Sequence, residues 1–196
     1  DSMALLASLQ GRAALLETGT ARLQAAVAAG RASLQHCTRA QRPLEWARTQ
    51  CVIGVALSEW ARREGTTQRH HEAVAAFRAA LGELEPAQQP RLWLMAQTNL
   101  AIDLAAIGEA DPGPDGLEAL QSAVDAYRSA LRQMKAERTP GPWAATQHNL
   151  GGALRLIGER EAGTQSLREA ALAFAAALEH HTRERAPQHW AAGQND

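Results

Sequence analysis

The chain has 196 residues, of which 45% are hydrophobic and only 4% aromatic, and its 20 basic and 21 acidic residues give a formal net charge of −1. Alanine makes up about a fifth of the sequence, whereas valine and isoleucine together number nine. Alanine is the strongest helix former, and a sheet core needs β-branched and aromatic residues, so this composition argues against an all-β or doubly wound fold.

The charge balance, the hydrophobic runs and the cysteine content argue against three further classes: nucleic-acid-binding, membrane-spanning and disulfide-rich proteins. The balanced charge gives no reason to expect a nucleic-acid partner, and no run of about 18 apolar residues predicts a membrane span. Cys37 and Cys51 are the only cysteines. Two cysteines do not form a disulfide framework in a chain of this size, so we expect separate buried thiols and a cytoplasmic location.

An internal repeat organises the whole chain. Trp46, Trp93, Trp143 and Trp190 follow one another at intervals of 47, 50 and 47 residues, and a second similar block follows each of the first three. The predicted single repeat domain therefore consists of a degenerate partial repeat (1–42), three full repeats (43–89, 90–139 and 140–186) and the start of a further one (187–196).

Each full repeat is predicted to form two antiparallel helices, a first and a second. In the first helix of the third full repeat, Trp143, Gln147, Leu150 and Leu154 form one stripe at helical spacing. The second helices carry one ring each, which we expect in the core because a two-helix unit buries its apolar face only by stacking on its neighbours. These rings are Phe77, Tyr127 and Phe174, and Gly30 holds the same place in the partial repeat.

Turn and cap signals separate the predicted helices. Prolines precede or open the first helices, where their missing N–H is tolerated. Thr20, Thr67 and Thr164 are predicted to be N-caps of second helices. Three extra residues in a loop at 111–116 would explain the longer middle spacing.

These repeats resemble the tetratricopeptide repeat family. The resemblance lies in a small residue after an aliphatic one in the first helix, followed by alanine, a ring and alanine in the second. The matching residues are Ile53-Gly54 with Ala73, Phe77 and Ala80, then Leu100-Ala101 with Ala123, Tyr127 and Ala130, then Leu150-Gly151 with Ala170, Phe174 and Ala177. The family period is 34 residues, so this chain would have hairpins lengthened at both ends. The resemblance implies an all-α fold, a right-handed α-solenoid of antiparallel helix hairpins.

The same resemblance implies that the first helices line a concave groove for peptides or extended segments. Projection from the leucine–glycine register predicts a groove lined by Arg48, Cys51, Val55, Glu59 and Arg62, then Met95, Thr98, Asn99, Ile102 and Glu109, then His148, Asn149, Gly152, Arg155 and Glu159. The expected contact residues are Arg48, Thr98, Asn99, His148, Asn149 and Arg155. Asparagine can bond a peptide amide with both a donor and an acceptor. For His148, the alternative interpretation is a surface residue that contacts no ligand.

Catalytic and metal motifs are missing from the sequence. Neither cysteine has a histidine and an orienting acid at a readable spacing, and His-Glu-x-x-His and Cys-x-x-Cys do not occur. Charge runs such as 159–161 are interpreted as solvated salt-bridge surface. We therefore expect no enzyme activity, no cofactor and no metal.

The sequence leaves two alternative functions, a scaffold and a sensor. The first is a non-enzymatic scaffold that binds a peptide or protein segment, alone or within a larger bacterial-type signalling or effector protein. The second is a sensor that binds a small ligand or peptide signal and controls an attached effector domain. We expect the chain to be a piece of a longer protein, with a natural capping helix at its end as the alternative, and self-association through exposed repeat ends is a further expectation.

Overall fold

The structure is a computed structural model that describes residues 19–136, 138–162 and 164–180, and every regular element in these ranges is a helix. The chain divides into two compact units, 1–83 and 84–196. The described helices are α1 (Ala21–His36), α2 (Pro43–Glu64) and α3 (Thr67–Leu81) in the first unit, and α4 (Pro90–Ala110), α5 (Pro114–Gln133), α6 (Pro140–Glu161) and α7 (Thr164–His180) in the second. None of them is both long and apolar enough to cross a membrane. The predicted ends of the chain, including 187–196, lie outside the described residues.

Prolines open the predicted first helices. Pro43, Pro90 and Pro140 are the first residues of α2, α4 and α6, which confirms the predicted starts. Proline fits there because its fixed φ matches the helix and its absent N–H would have no intrahelical partner.

The predicted loop at 111–116 is wrong in its extent. Pro114 already begins α5, which has 20 residues where α3 has 15. The turn is short because the Asp111 carboxylate accepts a hydrogen bond from the Gly113 N–H at 2.8 Å, which closes a local turn before the helix. The three extra residues therefore lengthen the second helix instead of its loop.

The N-cap predictions also need correction. Thr67 and Thr164 are the first residues of α3 and α7, and Thr66 holds the N-cap position of α3. Thr20 does precede α1, but its side chain makes no capping hydrogen bond. Helical φ/ψ at Thr20 explains this, since a capping side chain needs an extended backbone to turn back on the helix.

In the first unit, α2 packs against both α1 and α3. Phe77 is fully buried, as predicted. Its ring lies directly on Gly54, where a Cβ would approach Phe77 Cζ to 2.7 Å. Gly30, which replaces a ring in α1, faces Ile53 instead, whose Cγ1 would lie 2.6 Å from an added Cβ. Small residues thus set how closely these helices approach.

In the second unit, each helix packs against its neighbour in sequence, and α4 also contacts α6. Tyr127 is 1% exposed, which confirms its predicted place in the core. Phe174 was also predicted in the core, but it is only half-buried. Its ring covers Gly151, but among the described residues no helix follows α7 to cover its other side.

One interhelical ion pair recurs in both units at the same repeat position. Arg31 of α1 pairs with Glu72 of α3 at 2.7 Å, and Arg128 of α5 pairs with Glu169 of α7 at 2.5 Å. Each arginine directly follows the ring position of its helix. The sequence repeat is therefore matched by a repeated contact between second helices.

Candidate functional site

The second unit contains a pocket of about 370 Å³ between its two first helices, α4 and α6. The rings of Tyr127 from α5 and Phe174 from α7 also line it. We call this feature the α4–α6 pocket. Its lining residues are Ile102, Ala105, Ala106, Glu109, Tyr127, His148, Asn149, Gly152, Ala153, Arg155, Leu156 and Phe174.

Small side chains make the room for this pocket. Ala105 and Ala106 stand on α4, and Gly152 and Ala153 stand on α6. A Cβ added at Gly152 would meet nothing within 4 Å, so open space lies directly above that backbone. Residues 148, 149, 152, 155 and 156 fall at successive turns of α6, and this spacing brings them to one face of the helix.

His148 and Asn149 provide polar groups on the α6 wall. The His148 ring is half-buried and lies edge-on to Phe174, with 5.3 Å between ring centroids and 63° between ring planes. The Asn149 side-chain amide has no hydrogen-bond partner among the described residues, so both its donor and its acceptor can serve a ligand. Asn99, at the equivalent position of α4, instead donates to the Met95 carbonyl oxygen at 2.8 Å.

The charged residues of the pocket differ in how they are compensated. Arg155 pairs with Glu159 one turn later on α6, at 2.6 Å. Glu109 is exposed in the last turn of α4, which contains no basic residue, and no ion pair to it is formed within the described ranges. A carboxylate near a helix C-terminus is electrostatically unfavourable, because the helix dipole is negative there.

Arg160 corrects the interpretation of 159–161 as solvated surface. This side chain is half-buried, and its guanidinium donates to the carbonyl oxygens of Gly108 at 2.6 Å and Asp111 at 2.9 Å. It therefore binds the end of α4 from α6 and satisfies carbonyl groups that a helix C-terminus leaves without partners. This contact ties α6 to the end of α4, and these two helices form the walls of the pocket.

Asp103 and Tyr127 form a buried polar group behind the pocket. Asp103 is fully buried on α4, where the equivalent positions of α2 and α6 hold Ala56 and Ala153. Burial, and to a smaller extent the negative charge of Asp103, raise the pKa of the Tyr127 phenol above its ordinary value. The phenol is therefore neutral throughout the physiological range.

The predicted contact residues are only partly brought together. His148, Asn149 and Arg155 all line the α4–α6 pocket. Thr98 and Asn99 are half-buried on α4 and do not line it. Arg48 is exposed on α2 of the first unit.

Cys51 is wrong as a groove residue, because it is only 1% exposed. Both cysteines carry free thiols, as predicted, but Cys37 is half-buried where a buried residue was expected. Burial raises the pKa of the Cys51 thiol to about 11.

The contribution of two rings to the pocket was not predicted from the sequence. Tyr127 and Phe174 were assigned to packing alone, yet both line the space between α4 and α6. Their position opposite small residues of the first helices was the available signal, since a ring that fills such a gap also borders whatever space remains.

A second pocket, of about 340 Å³, lies among the three helices of the first unit. It is bordered by the Arg31–Glu72 ion pair and mostly by small and aliphatic side chains. None of the predicted contact residues lines it.

In the described part of the chain, no three His, Cys, Asp or Glu residues are grouped closely enough to hold a metal ion.

Comparisons of the chain with protein-family models, with curated proteins and with solved structures found no match. The α4–α6 pocket is therefore interpreted from its own residues.

Proposed function

We propose that this chain is a non-enzymatic interaction module of the tetratricopeptide-repeat type, a right-handed α-solenoid that binds a peptide or protein segment along its first helices. The observation that carries the proposal is the α4–α6 pocket, which combines an apolar lining with convergent polar groups. Binding sites are commonly concave and mostly apolar, with a few placed polar groups that fix orientation. A cytoplasmic location, consistent with two free thiols, belongs to the same proposal.

The lining favours a peptide segment for two physical reasons. Ile102, Leu156 and the ring of Phe174 provide apolar surface that an aliphatic or aromatic side chain would cover. Asn149 stands beside this surface with an amide that can both donate to and accept from a peptide backbone. Side-chain burial next to a backbone-binding group is how a groove holds an extended segment.

A second candidate function is supported by the size of the pocket. Its volume of about 370 Å³ lies at the lower end of the range of about 300–1,000 Å³ for small-molecule sites. A small ligand could therefore fill it, as a sensor attached to an effector domain would require. The two candidates differ in whether ligand contacts extend beyond the pocket along α4 and α6.

A peptide-selection experiment tests the first function. A phage library of random 12-residue peptides is selected on the wild-type chain, and the recovered peptides are measured against Gly152→Leu, which places a side chain in the open space above α6. Gly152→Ala provides a smaller step at the same position. Gln121→Leu adds the same bulk at an exposed position of α5 outside the pocket, and circular dichroism checks that each variant is folded.

We expect selected peptides to bind the wild type and Gln121→Leu equally, to bind Gly152→Ala more weakly and to lose binding to Gly152→Leu. Peptides that bind all four proteins equally would contradict the assignment of the pocket. Failure of selection, together with Gly152-dependent binding in a fragment screen of small molecules, would favour the sensor.

A further inference from the structure

The α4–α6 pocket is lined by one acidic and one basic side chain, Glu109 of α4 and Arg155 of α6. Arg155 is engaged by Glu159 one turn later on α6. Arg160 binds carbonyl oxygens at the end of α4 and does not line the pocket. Glu109 is therefore the one carboxylate of this lining, and it forms no ion pair within the described residues.

Glu109 is the carboxylate best placed to act on a ligand. It lines the pocket directly, it is exposed, and it lies in the last turn of a helix that has no basic residue there. The equivalent position of α2 is Arg62, which forms an ion pair with Glu59. Arg160 already binds the carbonyl oxygens at the end of α4, but it forms no ion pair with Glu109, so the exposed Glu109 carboxylate can pair with a cation supplied by a ligand.

The apolar wall lies within the same pocket as this carboxylate. Ile102, 40% exposed, stands two turns before Glu109 on α4, and Leu156 stands opposite on α6. An occupant that satisfies both features needs an aliphatic group for the wall and a cationic group for Glu109.

We propose that the α4–α6 pocket recognises a peptide segment that carries an aliphatic side chain beside a lysine or arginine. The aliphatic side chain covers Ile102 and Leu156, the basic side chain pairs with Glu109, and Asn149 bonds the intervening backbone. This inference rests on the proposed function and specifies the chemistry of its ligand.

Four acetylated and amidated peptides of one length test the proposal. They share the frame Gly-Ser-Gly-x-x-Gly-Ser-Gly, and their central pairs are Leu-Lys, Leu-Glu, Ser-Lys and Ser-Ser. Each is titrated into the whole chain, and the dissociation constant is taken from the NMR shift of the Asn149 side-chain amide. The same titrations are made with Glu109→Lys and with Glu118→Lys, which changes an exposed glutamate of α5 outside the pocket and leaves the net charge matched.

We expect Leu-Lys to bind the wild type at least about fivefold more tightly than Leu-Glu, a ratio that an exposed charge pair can supply. Leu-Lys should also exceed Ser-Lys, because the serine side chain leaves the wall uncovered. Glu109→Lys should invert the preference toward Leu-Glu, whereas Glu118→Lys should leave it unchanged. Folding is not threatened by Glu109→Lys, since a basic residue is favourable at a helix C-terminus.

Equal binding of Leu-Lys and Leu-Glu would overturn this inference and leave the proposed function standing. An inversion produced equally by Glu118→Lys would overturn it as well, since general charge attraction would then explain the preference. A peptide-free dimer in sedimentation that Gly152→Leu abolishes would identify a second copy of the chain as the occupant and reject the basic peptide. If no peptide of the random library depends on Gly152, the proposed function itself fails.

Discussion

The two compact units use the same alternation of first and second helices but fill equivalent positions differently. In the second unit a Cβ added at Gly108 of α4 would lie 2.5 Å from Leu120 Cγ of α5, so the leucine packs directly against the glycine. The first unit has Ala61 and His70 at these positions. It also has Gly30 where the second unit has Tyr127. The difference shows that a large side chain is accommodated where the facing helix supplies a small one.

The first helices of the two units also differ in the side chains at equivalent positions of one face. On α2, Val52 and Val55 are 57% and 42% exposed. The equivalent positions of the second unit are Asn99 with Ile102, and Asn149 with Gly152. Two first helices lie in contact within the second unit, and their small residues leave the α4–α6 pocket between them. The α4–α6 pocket thus depends on two neighbouring first helices and on small residues on their facing turns.

Truncation of the core rings should have the largest effect in both units. Phe77→Ala and Tyr127→Ala should each lower the free energy of unfolding by about 3–5 kcal/mol, because each leaves a cavity opposite a small residue. Leu172→Ala is the control, since Leu172 is 71% exposed, and it should change stability by no more than about 0.5 kcal/mol. Urea denaturation followed by circular dichroism measures all three. A loss of under 1 kcal/mol for either ring would contradict its place in the core.

Two glycines of the second unit should respond to alanine in opposite directions. A Cβ at Gly116 would lie 1.9 Å from the Asp111 carbonyl oxygen, so Gly116→Ala should destabilise the chain by about 1–3 kcal/mol through a backbone clash. Gly152→Ala meets open space in a helix and should stabilise by about 0.5–1 kcal/mol. Thermal unfolding of both variants provides the measurement. Stabilisation by Gly116→Ala would show that the turn before α5 is built differently, and destabilisation by Gly152→Ala would contradict the open space at that position.

The fold could be predicted from the sequence to a large extent because it follows local periodicity. A proline at a helix start is decided within a few residues, and a core ring follows from the repeat spacing, so Pro43, Pro90 and Phe77 were placed correctly. The start of α5 was missed because Asp111 closes the turn with its own side chain, an interaction that helical spacing does not reveal.

The candidate site was predicted less completely, because a pocket depends on distances between helices. His148, Asn149 and Arg155 share one helix face, so their common direction was accessible from spacing. Cys51 and Thr98 occupy equivalent positions to His148, yet Cys51 is buried and Thr98 does not line the pocket, because these environments depend on neighbouring helices and not on spacing within one helix. Arg160 reaches a carbonyl 52 residues earlier in the chain, which no local pattern indicates.

Alkaline pH should distinguish the ring of the second unit from that of the first. Tyr127 is the only tyrosine of the chain, so tyrosinate absorbance at 295 nm reports on it alone. Its pKa is raised in the folded state by burial and then by Asp103. The stabilisation that follows is present below the pKa of the unfolded phenol and is lost as pH rises above that value.

Tyrosinate should therefore form together with loss of helical circular dichroism. Tyr127→Phe, which installs the residue found at this place in α3 and α7, should retain its helices to higher pH. A tyrosinate titration near pH 10 with unchanged helix content would contradict the burial of this phenol.

The two thiols of the first unit should differ in reactivity. Cys51 is buried and its pKa is raised to about 11, so little of it is thiolate at pH 8, whereas Cys37 is half-buried. We expect iodoacetamide to modify Cys37 on the order of a hundredfold faster than Cys51 in the folded chain. Peptide mass spectrometry measures both rates, and urea provides the control in which the two should converge. Equal rates without urea would place Cys51 at the surface.

Smaller effects than those of ring truncation are expected at the ends of two first helices. Gly65 has φ +66° after α2, and Ala162 has φ +51° after α6, in the left-handed region that favours glycine. Gly65→Ala should destabilise by about 1–2 kcal/mol, and Ala162→Gly should stabilise by about 0.5–1 kcal/mol. Thermal melts of the two single variants test this, and stabilisation by Gly65→Ala would contradict the left-handed cap.

We propose that the second unit, and not the exposed valine face of the first, binds the ligand. The most direct test of this claim is an NMR map of backbone amide shifts in the whole chain on addition of a peptide selected from the random library. We expect the largest shifts at 102–109 of α4 and 148–156 of α6, with 48–59 of α2 unchanged. Shifts confined to 48–59, with none on α4 or α6, would contradict the claim.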